Sequence, residues 1–177
     1  MSIHEVLGRA MAATAAAAAT MITGAVVMAA PAQAAVPAHE IVGIGSGKCL
    51  DVRAEDGGAG ARIQTWQCFG SANQEWGVQF VGKYTGVDYF QLISKGPGGL
   101  CMEVSRSANV NGAQIDQAEC SQDANKLFRL DTGNGGFTLR PMSSTRCVDV
   151  SGNSTLNGAK VQLWDCNETT AQAFRLV

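Results

Sequence analysis

Two stretches of the chain place the same kinds of side chain in the same order. Asp51 is followed by Gln64, Trp66, Asn73 and Gln74, and Asp149 is followed by Gln162, Trp164, Asn167 and Gln172. An acid, several amides and an indole suit a ligand covered with hydroxyl groups. A carboxylate accepts hydrogen bonds from two adjacent hydroxyls, and charge-assisted bonds of this kind are the stronger ones. Amide side chains both donate and accept. An aromatic face covers apolar C–H surface. A plainer reading stands beside each residue. Asp51 and Asp149 can anchor turns, because Asp bonds its own backbone readily. The glutamines can tie loop to backbone, and the two tryptophans can be core.

These residues sit inside an internal repeat. Cys49 and Cys68, Cys101 and Cys120, and Cys147 and Cys166 share a separation of 19 positions. Aligned on the first Cys of each pair, the three segments run together without a gap. Leu50, Met102 and Val148 coincide, as do Val52, Val104 and Val150, with Asp51, Glu103 and Asp149 between them. Further on come Gly60, Gly112 and Gly158, then Ala61, Ala113 and Ala159, then Ile63, Ile115 and Val161. Trp76, Phe128 and Phe174 close each segment. Such a threefold period outranks other sequence features.

The repeats read as β structure. Leu50-Asp51-Val52 and Phe128-Arg129-Leu130 alternate apolar and polar residues. Asn111-Gly112 and Asn157-Gly158 read as hairpin turns, because both residue types tolerate φ > 0. No helical period follows Ala34. Three β repeats in one domain must close on themselves to hide their edges.

Composition removes several function classes. Lys plus Arg is 13 against 15 Asp plus Glu, a net charge of −2, so nothing draws a nucleic-acid backbone. Of the 2 His, only His39 lies beyond residue 34. That excludes Ser-His-Asp and Cys-His nucleophiles and His-based metal sites. The 6 Cys show no C-x-x-C spacing, which argues against a metal centre and for disulfides. A glycosidase needs two carboxyls about 5–9.5 Å apart. Asp51 and Asp149 belong to different repeats, which threefold symmetry keeps apart. The expectation is a non-enzyme without metal or cofactor.

The N-terminus reads as a leader. A short polar start reaches Arg9, an Ala-rich uncharged run covers Met11 to Ala30, and Ala32-Gln33-Ala34 has the small-x-small form of a signal-peptidase site. An uncleaved anchor is the rival, since about 20 apolar residues can span a bilayer. Thr14, Thr20 and Thr23 interrupt this run, however, and Ala is only weakly apolar. The domain plan is then a signal peptide over 1–34, a tail over 35–40 and a single domain over 41–177, with repeats near 41–84, 85–133 and 134–177. Export implies an oxidising compartment, a secreted protein and no stable membrane insertion.

The combination of Cys-x-acid, Gly-Ala and a Gln-x-Trp segment ending in Cys resembles the ricin B-type lectin repeat, also called carbohydrate-binding module family 13. Gln64-Thr65-Trp66-Gln67-Cys68 and Gln162-Leu163-Trp164-Asp165-Cys166 carry the likeness most fully, and Asn73-Gln74-Glu75-Trp76 closes the first repeat. The resemblance spans 41–177. It implies an all-β fold, a β-trefoil of three four-stranded repeats about a pseudo-threefold axis, and a sugar-binding function. By the same likeness, Asp51, Gln64, Trp66, Asn73 and Gln74 form a carbohydrate-binding pocket. A second pocket takes Asp149, Gln162, Trp164 and Gln172, with Asn167 supplying an amide because Ala171 replaces the expected Asn. The middle repeat has Glu103, Ala118 for the aromatic and Lys126 for the Gln, and is expected to be structural. Repeat symmetry selects the pairs Cys49–Cys68, Cys101–Cys120 and Cys147–Cys166 from 15 pairings. The expected partner is a galactose-, arabinose- or xylan-type glycan, bound by a monomer. The alternative is a trefoil that binds protein, as a protease inhibitor or structural surface protein. Secreted protein should begin at Ala35, which N-terminal sequencing or intact mass will show; a full-length, membrane-associated product would establish the anchor instead.

Overall fold

The structure is a computed structural model that describes residues 36–53 and 57–177; the predicted leader lies outside the described residues. Each repeat contributes four strands. The first holds β1 (Ala38–Gly43), β2 (Cys49–Val52), β3 (Ile63–Trp66) and β4 (Glu75–Tyr84). The second holds β5 (Val87–Ser94), β6 (Cys101–Val104), β7 (Ile115–Ala118) and β8 (Phe128–Gly133). The third holds β9 (Gly136–Pro141), β10 (Cys147–Val150), β11 (Ala159–Trp164) and β12 (Phe174–Leu176).

The outer strands of the repeats close a ring. β1 pairs with β4, β4 with β5, β5 with β8, β8 with β9, β9 with β12, and β12 returns to β1, all antiparallel. Closure removes the free edges. The inner pairs β2–β3, β6–β7 and β10–β11 are hairpins that cap the ring. This is a β-trefoil, as the family resemblance implies.

The core follows the repeat. Trp76, Phe128 and Phe174 are fully buried, with Leu50, Met102 and Val148 and with Ile63, Ile115 and Val161. The Trp76 indole N–H donates to the Leu50 carbonyl at 3.0 Å, so this ring is buried with its polar atom satisfied. The three disulfides join Cys49–Cys68, Cys101–Cys120 and Cys147–Cys166, one inside each repeat. Each fastens a hairpin's first strand to the loop after its second.

Two sequence expectations are corrected. The domain begins earlier than residue 41: β1 starts at Ala38, and His39 pairs with Trp76. Glu40 and Val177 exchange both backbone hydrogen bonds at 3.0 Å, so residues assigned to a tail close the ring against the other end of the chain. The Asn-Gly turns also differ in type. In both, the glycine alone has positive φ, 83° at Gly112 and 78° at Gly158, and Gly60 after Ala59 matches them at 88°.

Those glycines tie the repeats together. Gly60 N–H donates to Gln117 O at 2.7 Å, Gly112 N–H to Leu163 O at 2.8 Å, and Gly158 N–H to Thr65 O at 2.7 Å. Each repeat thereby docks on the next in a closed cycle. Around Gly60 there is empty space for a methyl group, so the demand for glycine there is conformational rather than steric. Gly60→Ala should therefore cost about 1–2 kcal/mol, the left-handed penalty for an L-residue, despite fitting. Denaturant unfolding will read it; an unchanged midpoint would show that this turn does not constrain the fold.

Candidate functional site

The first repeat builds a cavity of about 550 Å³ over the β2–β3 hairpin, lined among others by Asp51, Gln64, Trp66, Asn73 and Gln74. Asp51 and Gln64 are directly opposed in the ladder, which sets them on one face. Gln64 Nε2 donates to Asp51 Oδ1 at 2.9 Å. Asn73 Nδ2 and Gln74 Nε2 donate to Asp51 Oδ2 at 2.8 and 3.0 Å. Burial pushes the Asp51 carboxyl above its ordinary 3.8, and the bonds from Gln64, Gln74 and Asn73 pull it only part of the way back. Three of roughly four lone-pair positions are occupied, which leaves one for a further donor.

The amides do not have equal roles. Gln74 spends both N–H donors, on Asp51 and on the Gln67 carbonyl at 2.8 Å, and its Oε1 accepts Phe69 N–H at 2.8 Å. It holds the loop after β3 and orients Asp51. Asn73 divides its amide between Asp51 and the Val52 carbonyl at 3.2 Å. Trp66 lies outside this network and is 37% exposed. Gly158 of the third repeat is its neighbour: a methyl group there would stand 3.7 Å from the indole and 3.8 Å from Gln64 Oε1.

The third repeat repeats the plan in a cavity of about 460 Å³ lined by Asp149, Gln162, Trp164 and Asn167 among others. Gln162 Nε2 donates to Asp149 Oδ1 at 3.2 Å, and Gln172 Nε2 to Asp149 Oδ2 at 3.1 Å. Gln172 matches Gln74: its second donor goes to the Asp165 carbonyl, and its Oε1 accepts Asn167 N–H. With Ala171 in place of an Asn, Asp149 keeps one more acceptor position open than Asp51 does. Asn167 Oδ1 accepts from Thr169 N–H and Oγ1 at 3.1 and 2.8 Å, which fixes the amide at the cavity wall. Trp164 is 40% exposed.

The middle repeat is different. Asn125 Nδ2 donates to Glu103 Oε2 at 3.1 Å, as Asn73 does to Asp51. Lys126 stands where the glutamine would be and directs its ammonium to Ser121 Oγ at 2.9 Å and Glu103 at 3.7 Å. Asp116 replaces Gln64, directly opposite Glu103. Burial raises the carboxyls of both, and Asp116 adds a repulsion that raises Glu103 further. Ala118 offers no aromatic face.

Several lining residues were not anticipated. Phe69 is 66% exposed at the first cavity. It occupies the repeat position that Ser121 holds in the second repeat and Asn167 in the third. Ser71 and Arg53 also line the first cavity, and Ser151 and Asn153 the third. Among the described residues, the one group with metal-ligand spacing is Glu40, Cys49 and Cys68, and its two cysteines are joined to each other.

Residues 37–174 match the family model of the ricin-type β-trefoil lectin domain. A designed threefold-symmetric protein, ThreeFoil, is 30% identical with a TM-score of 0.73, covering 79% of this chain and 97% of its own. The exo-β-1,3-galactanase 1,3Gal43A from Clostridium thermocellum is 25% identical with a TM-score of 0.70; the match covers 79% of this chain and 30% of that enzyme. The Macrolepiota procera ricin B-like lectin, solved in complex with lactose, shares the fold at 20% identity and a TM-score of 0.63, over 81% of this chain and 96% of its own. Serine protease 1 of Rarobacter faecitabidus is 44% identical over 39 residues, which are 22% of this chain and 7% of that protein.

The network separates frame from surface, and stability should follow that division. Asp51→Ala leaves three amide donors short of an acceptor and should cost about 1–3 kcal/mol. Trp66→Ala removes a part-exposed ring and should change stability by about 0.5 kcal/mol or less. Paired denaturant melts measure both, and a larger loss for Trp66→Ala would make the indole a core residue.

Proposed function

The chain belongs to the ricin-type β-trefoil lectin family, and on that premise we propose that it is a secreted carbohydrate-binding protein with working pockets in its first and third repeats. The observation that carries this is the same contrast twice over. A carboxylate held by amides and about 5% exposed or less stands beside an indole that is 37% or 40% exposed. The buried acid presents a fixed acceptor to a ring hydroxyl. The indole covers the C–H face of the same ring. Gln64 and Asn73 line the first pocket with further amide groups, and Gln162 and Asn167 line the third. Gln74 and Gln172 serve chiefly to orient the carboxylates, because both are buried and each has its two N–H donors and its Oε1 acceptor already engaged.

The reaction is binding alone. Nothing in either pocket resembles a nucleophile with its base, and the two acids belong to separate pockets. Galactose-, arabinose- and xylan-type glycans are the proposed ligands. Three disulfides suit an extracellular setting. Among the described residues no helix is long and apolar enough to cross a membrane.

Two shallow pockets on one chain favour long polysaccharides. Linked engagement can raise avidity about 10²–10⁴-fold over one site. Trp66→Ala and Trp164→Ala should each abolish most polysaccharide retention while keeping part of the monosaccharide binding, and the double variant should lose both. Affinity electrophoresis and calorimetry on folded protein measure this. A folded double variant that binds polysaccharide like the wild type would refute the pockets.

A further inference from the structure

Arg62, Gln114 and Lys160 occupy one position in the three repeats, at the entrance to the second strand of each hairpin. Their backbone pairs run cyclically, Arg62 with Asp116, Gln114 with Gln162, and Lys160 with Gln64. They therefore stand together where the three hairpins meet. A narrow cavity of about 140 Å³ opens there, backed by the buried Ile63 and Val161 and rimmed by Arg53, Arg62, Gln114 and Lys160. No acidic side chain lines it among the described residues, in a chain whose net charge is −2. Lys160 Nζ gives one bond to the Gly112 carbonyl at 2.7 Å, which leaves two ammonium donors. Arg62 is exposed, and its planar fork suits an oxyanion better than any other side chain.

The cleft is continuous with the first sugar pocket. Arg53, Gln64 and Gly158 line both. A cavity of 140 Å³ beside one of 550 Å³ has room for a substituent rather than a second ring. The Asp51 carboxylate is turned to Gln64, Asn73 and Gln74, whose N–H dipoles offset its charge. We propose that the first pocket and this cleft together bind an anionic glycan, with the sugar ring against Trp66 and its carboxylate or sulfate ester received by Arg62 and Lys160. This rests on the carbohydrate reading of the first pocket and names its ligand class.

Matched oligosaccharides test it: a neutral galactan fragment, its galacturonate counterpart and its sulfated counterpart, titrated by calorimetry into the disulfide-bonded protein. One charge-assisted bond in a sheltered cleft corresponds to about a tenfold gain. The wild type should bind at least one anionic counterpart about tenfold or more tightly than the neutral fragment. The preferred one, carboxylate or sulfate, identifies the group. Raised salt and free inorganic sulfate should erode this preference and leave neutral binding alone. Arg62→Gln and Lys160→Gln replace exposed side chains, so both should fold, bind the neutral fragment normally and lose most of the preference. Equal wild-type affinity for all three fragments overturns the anionic site while the sugar pocket stands, as does a preference that survives both substitutions. If the wild type binds no fragment, the lectin reading of this pocket falls and the inference falls with it.

Discussion

Three backbone hydrogen bonds around the pseudo-threefold axis hold the repeats in mutual register. They run from Gly60 to Gln117, from Gly112 to Leu163 and from Gly158 to Thr65. Return bonds accompany them, from Gln117 N–H to Ala61 O and from Leu163 N–H to Ala113 O, at 3.1 and 2.9 Å. A cycle of this kind cannot close two-thirds of the way. It requires left-handed backbone at one residue in each repeat, which glycine adopts without the penalty that a Cβ brings. The glycine is followed each time by alanine, and the Ala61 and Ala113 carbonyls accept the return bonds from buried positions. The Gly-Ala pairs thus belong to assembly, and the ligand chemistry is mounted on strands that this assembly fixes.

The repeats act as controls for one another. All three keep an acid at the second position after the first Cys, and all three satisfy it from within: amides in the outer repeats, an amide and an ammonium in the middle one. A buried carboxylate without partners would be costly wherever it stood. The satisfied acid is therefore a property of the frame that ligand binding can borrow. The aromatic face behaves otherwise. It is present where the cavities are, at Trp66 and Trp164, and missing at Ala118, while Phe128 continues to fill the core. The exposed ring has no structural duty in the repeat that dispenses with it. The middle repeat also tolerates two facing acids, Glu103 and Asp116, which like-charge repulsion across a ladder disfavours. Lys126 offsets part of that repulsion with the charge that takes the place of the glutamine.

The fold was legible because one register explains every repeated position. Gapless alignment from Cys49, Cys101 and Cys147 made the disulfides and the core aromatics predictable together. What escaped depends on contacts distant in sequence. Nothing near Ala38 signals that Glu40 will pair with Val177. The site residues were legible by type but not by role. Gln74 and Gln172 look like ligand groups, and only the geometry shows their donors engaged by a carboxylate and a loop carbonyl. Phe69 was hidden because its counterparts are Ser121 and Asn167, so its position has no common chemistry to reveal it. The basic cleft was obscured in the same way, since Arg62, Gln114 and Lys160 acquire meaning only when three repeats bring them together.

The asparagines before two of the axial glycines join assembly to recognition. Asn157 Oδ1 accepts Gln67 N–H at 3.0 Å, and Asn111 Oδ1 accepts Asp165 N–H at 2.9 Å. Each bond braces the residue directly after a pocket tryptophan, across a repeat boundary. The third repeat thus steadies Trp66 in the first, and the second steadies Trp164 in the third. By the same register the first repeat should steady the strand that ends at Ala118, but its residue before Gly60 is Ala59, which has no amide to offer. The brace and the ring it would support are absent together. The missing ring at Ala118 is thus matched by a missing amide in a neighbouring repeat, as expected if these asparagines serve to hold an exposed indole still. A turn that needed asparagine for its own geometry would have kept it in all three places, and the first repeat makes the same turn with alanine.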